Sequence, residues 1–508
     1  MSVGPQDDGA YVGSRGEDLI KENGAASRAN WGGWRRGYAK MPHGKFLEFD
    51  KHILGTIWTS DEAYTTLEYL CDSIGHRFAG SDQEHRAAEF LASKMREYGL
   101  ENVKLEEFEM ATWDRGPCSV SVTQPDTRDL PSIALPFCPS AEIEAELIDV
   151  GDGEHEDFQR HIERIPGRIV LTNAESDKPG ERKSHRRDKF NWAIEYGAIA
   201  CVFMNQNPGM LRITGSIPGS NMISASAKDR EAAIPGVGIS YEAGKMIRRI
   251  AKQGQVHVRI ATENATRDSK SYNVVGEIPG SSIPEEIVLL GGHYDGHDIA
   301  QGAGDDGAGT ITGLEAGRAL AGLKGKLKRT TRVICFGSEE VGLIGALQHA
   351  YRHKDEKFRF VLNLDGAGRG SGGEEQLTTM ARPEIATYFE SLKDDLVYDF
   401  DVVDEFDSHS DHLPFAVRGI PNGTLKSKDA TAGMIGRGYG HTEADTFDKI
   451  NPRGLQMSAI LAARLAVRLS EDEDFPGRIY SQDEVRQQLS DAGVLQRQEQ
   501  QGRFPPMT

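Results

Sequence analysis

Apolar positions along this chain switch period several times, and the switches divide it into segments. From Lys51 to Gly75, Ile53, Leu54, Ile57 and Trp58, then Tyr64, Leu67, Leu70 and Ile74, recur at helical spacing, and Ser60 before Asp61 and Glu62 marks a cap between two helices. A third helix is predicted from about Asp82, after Ser81, through Ala87, Phe90, Leu91 and Met95 to Gly99, and VKLEEFEM then alternates as a strand. Between about Ala134 and Gln255 the pattern predicts a strand in GRIVLTNA, a helix running into a strand in DKFNWAIEYGAIACVFMNQ, and a strand and helix in IPGVGIS and YEAGKMIRRIAKQG. From Ser271 onward short apolar runs (NVVGEI, EIVLLGGH, RVICFGS, FRFVLNLD) alternate with helical stretches over Gly307 to Leu323 and around Ala346 to His353. That alternation predicts an α/β fold with a mixed, mostly parallel sheet flanked by helices.

Five segments follow. Residues 1–45 form a polar, glycine-rich arm; 46–133 and 256–475 are two parts of one host domain; 134–255 is a separate domain inserted into it; and 476–508 is a surface helix with a frayed tail. The basic run ERKSHRRDK, Glu181 to Lys189, reads as a solvated loop of the insert.

Composition narrows the function classes. The 508 residues carry 59 basic and 78 acidic side chains, a net charge of −19 that disfavours nucleic acid and anionic membranes as partners. The five cysteines are widely spaced with no CxxC, so they are expected to be reduced thiols and not zinc ligands. Neither a secretory leader nor a membrane span is legible, and a cytoplasmic protein is expected, with a homodimer open.

Chemistry enters with five motifs in order: GGHYD at His293, GAGDDGAG at Asp305, GSEEVGLIGA at Glu339 and Glu340, NLDGAG at Asp365, and GYGHTEADT at His441. Parallel α/β sheets collect ligands beyond the carboxyl ends of their strands, and His293, the Glu339–Glu340 pair and Asp365 each close such a strand. Two histidines and four carboxylates are a donor set for two zinc ions with one glutamate to spare as a base. Asp295, two residues after His293, is placed to accept a hydrogen bond from its ring. Glu339 and Glu340 follow a buried strand, where neighbouring carboxylates repel and lose hydration, an arrangement that fits a site better than a surface. The glycines around Asp305 let backbone crowd where side chains would not fit.

In order and wording these motifs resemble the co-catalytic zinc aminopeptidases and glutamate carboxypeptidases of metallopeptidase clan MH, most of all the plasma glutamate carboxypeptidase branch. The similarity extends to LCDSIGHRFAGS, to YGLENVKLEEFEMATWDRG and to the insert, which resembles a protease-associated domain. The resemblance implies a zinc-exopeptidase fold and two Zn2+ ions, His293 and Asp365 on one, Glu340 and His441 on the other, Asp305 bridging, Glu339 as base and Asp295 behind His293. It also implies a cis peptide between Asp305 and Asp306 and an insert that packs over the rim of the sheet. Asp411 and His412, in SDHLPFAVRGIP, receive no metal role, and Tyr439 is separated from His441 by Gly440 and receives none in catalysis. The expected activity is hydrolysis of dipeptides or short peptides with a free amino terminus, a water being activated by the glutamate. Carboxypeptidase action on a terminal acidic residue, a mono-zinc glutaminyl cyclase and a non-catalytic receptor-like relative are the alternatives, and a phosphoesterase lacks support in the histidine pattern.

Overall fold

A computed structural model of the chain describes residues 44–175, 184–219, 223–428 and 438–506. Residues 1–43 of the polar arm, with Trp31 and Trp34, and residues 181–183 of the basic run lie outside the described residues. Of the described helices none is long and apolar enough to cross a membrane.

Two eight-stranded sheets organise the described chain. The larger runs in the order Glu101–Asp114, Ala265–Ile278, Arg329–Phe336, Ile283–His293, Lys357–Asn363, Asn422–Ser427, Glu375–Thr378 and Asp401–Val403. Its middle four strands, from Arg329–Phe336 to Asn422–Ser427, are mutually parallel, and the two long strands at one edge pair antiparallel. The middle strands are buried along almost their whole length, as a parallel sheet covered on both faces requires. Helices Leu47–Trp58, Ala308–Ala321 and Pro452–Glu471 cover one face, and Asp50 is tied there to Arg464 and Arg468 in a buried ion-pair cluster. The helices predicted near the amino terminus form as Leu47–Trp58, Glu62–Glu68 and Asp82–Glu97. Ser60 Oγ accepts from Glu62 N at 3.1 Å and Ser81 Oγ from Glu84 N at 3.1 Å.

The second sheet belongs to the insert, in the order Arg128–Leu130, Cys118–Gln124, His257–Thr262, Ala141–Asp149, Ile169–Asn173, Ala200–Met204, Gly236–Ile239 and Ser132–Ala134. Its strands span Cys118 to Thr262, wider at both ends than the 134–255 read from sequence. The period changes at 134, but Cys118–Gln124 is an alternating strand like its host neighbours, and only its pairing with His257–Thr262 assigns it to the insert. The insert is also not merely tethered. One core cluster joins Phe78, Trp113, Val341 and Ile344 of the host to Phe137, Phe190 and Phe203 of the insert.

Two further expectations are corrected. The described part of the basic run is a helix, Arg186–Glu195, capped by His185, with Arg186 and Lys189 buried and Lys189 Nζ donating to the Asp152 carbonyl at 2.6 Å. A sequence of charges looks solvated until backbone carbonyls close over it. The carboxyl-terminal segment forms two helices, Gln482–Asp491 and Leu495–Gln500, and the tail beyond them packs inward, leaving Gln498, Arg503 and Phe504 buried.

Candidate metal and catalytic site

The parallel strands deliver their last residues to one rim. Ile283–His293 ends on His293, Arg329–Phe336 leads through Gly337 and Ser338 to Glu339 and Glu340, and Lys357–Asn363 leads to Asp365. Asp305 precedes helix Ala308–Ala321, and its peptide bond to Asp306 is cis. His441 sits in a loop with φ +61°.

Five of the six predicted residues come together in two groups that share a border, and the sixth, Glu339, lies beside the first. His293, Asp305 and Asp365 form one, and Glu340 and His441 form the other with His297, which the motif reading passed over. The Asp305 carboxylate lies between them, Oδ1 3.6 Å from His293 Nε2 and Oδ2 3.5 Å from His441 Nε2. Glu340 Oε2 is 3.0 Å from His441 Nε2 and 3.1 Å from His297 Nε2, and Glu339 Oε2 is 4.0 Å from His293 Nε2. His293 Nε2, Glu340 Oε1 and His297 Nδ1 are buried without a hydrogen-bond partner, and His297 Nε2 faces only the Glu340 carboxylate. Buried polar atoms are normally satisfied, so orphans aimed at one space fit a cation that uses them.

Neighbouring backbone aims these side chains. His293 Nδ1 donates to the Asp295 carbonyl at 3.0 Å, and His441 Nδ1 to the Thr214 carbonyl of the insert at 3.2 Å, so both rings turn Nε2 toward the carboxylates. The Asp295 carboxylate stands behind the same His293 nitrogen, Oδ1 3.5 Å from Nδ1. It also accepts from Glu339 N at 2.9 Å and Glu340 N at 3.2 Å, and so orients the glutamate pair. Asp445 does the same for the Asp305 loop, accepting from Gly304 N at 2.7 Å and Asp305 N at 3.1 Å. Asp306 accepts from Gly309 N and Gly366 N, and a Cβ on Gly292 or Gly309 would stand 2.3–2.4 Å from its oxygens, which is why glycine is required at both positions.

Charge is concentrated and buried. Burial pushes the Glu339 carboxyl up to about 8; His293 pulls it down, while Glu340 and Asp365 add to the rise. Burial also raises Asp306 well above the ordinary carboxylate range and Asp445 to about 6. Against the same burial, His297 and His441 hold Glu340 well below that range, and Glu339, Asp295 and Asp305 hold His293 well above the usual imidazole value. Arg369, also not anticipated, reaches Asp305 Oδ1 at 3.2 Å and Asp365 Oδ1 at 3.3 Å and offsets part of this negative charge. His412 stays out of both groups, held by the Asp407 carbonyl, Asn363 and Thr424. Tyr439 lies beneath the Lys449 ammonium and is bound to Thr442 through its carbonyl.

Asp445 had a signal in the sequence, since it lies inside GYGHTEADT, whereas His297 lies two residues beyond the GGHYD motif. Arg369, four residues after Asp365, had a weaker one.

The insert closes over this rim. Thr214 N donates to the His441 carbonyl at 2.9 Å, Ser216 Oγ and Arg187 donate to the Glu340 carbonyl at 2.7 and 3.3 Å, and Arg230 donates to the Val341 carbonyl. Glu339, Glu340 and His441 line one pocket with Arg187 of the insert and with Arg497 and Arg503 of the carboxyl-terminal segment.

Residues 273–466 match the model of peptidase family M28, and residues 138–247 match that of the PA domain. Rat (Rattus norvegicus) carboxypeptidase Q is 26% identical over 82% of this chain and 86% of its own length. Among solved structures, a peptidase M28 precursor from Shewanella amazonensis superposes with a TM-score of 0.73 at 24% identity, covering 85% of this chain and 98% of the other. BSAP, a zinc aminopeptidase from Bacillus subtilis, superposes with a TM-score of 0.61 at 23% identity, covering 83% and 97%.

Proposed function

We propose that this hydrolase, whose residues 273–466 match peptidase family M28 and whose insert matches a PA domain, is a di-zinc exopeptidase acting on dipeptides or short peptides with a free amino terminus. The observation that carries this reading is the Asp305 carboxylate, which turns one oxygen to each histidine group and so suits a bridge between two cations. His293 and Asp365 would hold one zinc, Glu340 and His441 the other with His297 beside them, and Asp305 would serve both. Two donor groups also favour this over a mono-zinc cyclase. Their orphaned nitrogens and oxygen count against a receptor-like relative that has lost its ligands.

Zinc bound there supplies Lewis acidity, polarising the scissile carbonyl and making water nucleophilic at neutral pH. Glu339 is the proton carrier: its carboxylate takes a proton from the attacking water and passes it to the leaving amine. Asp295 fixes the stretch of backbone that carries Glu339, and the carbonyls of Asp295 and Thr214 hold the two rings in one tautomer. The insert, bonded to the loops of His441 and Glu340, narrows access and favours short chains over folded substrates. Surplus buried carboxylate around Glu339 suits an α-ammonium group beside the scissile bond.

The test is a panel of dipeptides, free and amino-acetylated, given to the zinc-loaded protein. Cleavage of the free dipeptides that acetylation abolishes is expected. Efficient hydrolysis of acetylated dipeptides, or cleavage inside a folded protein, would assign the activity to the other end of the chain or to a different class.

A further inference from the structure

Three arginines from three parts of the chain end on three consecutive carbonyls. Arg187, in the insert helix Arg186–Glu195, donates to the Glu340 carbonyl at 3.3 Å. Arg230, closing the short insert helix Ala227–Arg230, donates through Nη2 to the Val341 carbonyl at 2.5 Å, and Arg503, from the carboxyl-terminal tail, donates to the Gly342 carbonyl at 2.9 Å. Arg230 and Arg503 are 1% and 4% exposed, and that one bond is all either guanidinium makes among the described residues. Nε and Nη1 of Arg230 and Nε of Arg503 are buried with no partner. Burial pushes both side chains down to about 9. Like charges add to the fall, Arg187 and Arg503 acting on Arg230 and Arg187 and Arg497 on Arg503, where Glu339 opposes them.

A water molecule satisfies an N–H group but leaves the charge in place, and a buried guanidinium is stable only when it is paired. A carbonyl dipole offsets part of one charge, and here two charges stand on adjacent carbonyls with no ion-pair partner among the described residues. The balancing charge is not the substrate's. Arg230 does not line the pocket that Arg187 and Arg503 enter, and at 1% exposure it is out of a peptide's reach. The Phe137 ring covers one face of it, the guanidinium carbon lying 4.3 Å from the ring centroid. With Nη2 spent on Val341, the remaining Nε and Nη1 point along different edges and present no two-pronged fork to a carboxylate or a phosphate. A spherical halide needs no fork, and it diffuses in alone.

We propose that a chloride ion binds between Arg230 and Arg503 and clamps the insert and the carboxyl-terminal tail to the Glu340–Gly342 loop. The clamp joins three separate stretches at the loop that presents Glu340, so its occupancy sets how firmly that side of the candidate site is held. The tail lies beyond residues 273–466, the span matched to the peptidase family, so the clamp is built partly from a segment outside that match. It stands whatever substrate the neighbouring site takes.

The experiment titrates sodium chloride into the full chain at constant ionic strength, with gluconate as the replaced anion, and repeats the titration with sodium phosphate. It uses zinc-loaded and metal-free protein, because chloride also binds zinc, and the variants Arg230→Met and Arg503→Met. Chloride is expected to raise the Tm of the unmodified protein saturably, by about 2–5 °C at roughly 100 times the half-saturating concentration, with or without zinc. Both variants are expected to lose that rise. Hydrogen exchange in residues 494–504 is expected to slow by about fivefold or more on adding chloride. A rise that needs zinc, a rise that survives in Arg230→Met, or no saturable rise at all would overturn the proposal. A saturable effect of phosphate with none of chloride would also overturn it, making the site one for an oxyanion, and unchanged exchange in the tail would overturn the clamp. Should both variants fail to fold, crystals of the unmodified protein grown in bromide carry the test: an anomalous peak between the two guanidinium groups supports the site, and its absence there refutes it.

Discussion

Two regions of this molecule bury histidines against glutamates, and they differ in what is left over. At the edge of the larger sheet, Glu106 accepts from His349 Nδ1 at 2.7 Å and His353 Nε2 at 2.8 Å, Lys104 stands 2.9 Å away, and His353 Nδ1 lies 3.0 Å from Glu356. Arg332 closes the other side, bonded to Glu277 and Glu356. Burial drives His349 down to about 4, so it is neutral at pH 7. Burial would raise Glu106, but hydrogen bonds from His349 and His353 hold it far below its ordinary value. Every charge there has a partner. At the rim carboxylates are in excess, and His293, His297 and Glu340 carry unpartnered atoms. Residue types alone would nominate both groups for a metal. Saturation tells them apart: the Glu106 group is a strut and the rim is a site.

Mutation of the rim gives the largest effects. Glu339→Gln is expected to lower kcat by about 10²–10⁴-fold while zinc content, measured by atomic absorption, stays unchanged. Asp305→Ala should lose metal as well as turnover. Near-normal activity in Glu339→Gln would remove its role as base, and full zinc content in Asp305→Ala would remove the bridge.

A paired substitution sharpens the contrast between the regions. His297→Ala should weaken binding of one of two zinc ions by roughly 10–100-fold in a chelator competition, whereas His349→Gln should leave zinc binding alone and lower stability by about 1–3 kcal/mol. If His349→Gln weakens zinc and His297→Ala does not, the comparison is the wrong way round.

The smallest effect is the pH dependence of the metal-free protein. Glu339 has a folded value near 8, above its unfolded one, so its contribution to stability is complete at acid pH and is lost as pH rises through about 8. Each such group removes about 1.4 kcal/mol per pH unit in that window. Metal-free protein should therefore show a Tm that falls from pH 6 to pH 9, with the zinc-induced rise in Tm growing over the same range. A flat Tm in metal-free protein would show that these carboxylates are better solvated than their burial indicates.

What was legible in the sequence was local. Apolar runs ending in His293, Glu339 and Asp365 announce strands that stop at a rim, because a parallel strand buried on both faces must be continuously apolar until it meets the site. Capped helices after Ser60 and Ser81, and the glycines around Asp305, were readable for the same reason: each is imposed by neighbours a few residues away. Other features depended on the folded chain. Nothing in DGHDI says that the His297 ring will stand 3.1 Å from Glu340. The basic run 181–189 looks like a solvated loop, and Gln498 and Arg503 look like a frayed tail. Burial of such charges is decided by which distant surface covers them, here the pocket where insert, tail and rim meet. Charge and hydrogen-bond saturation are sums over neighbours from the whole chain. The residue types of the site could therefore be listed from sequence, but which of them were left unpartnered, and so open to a metal or a substrate, was settled by tertiary structure.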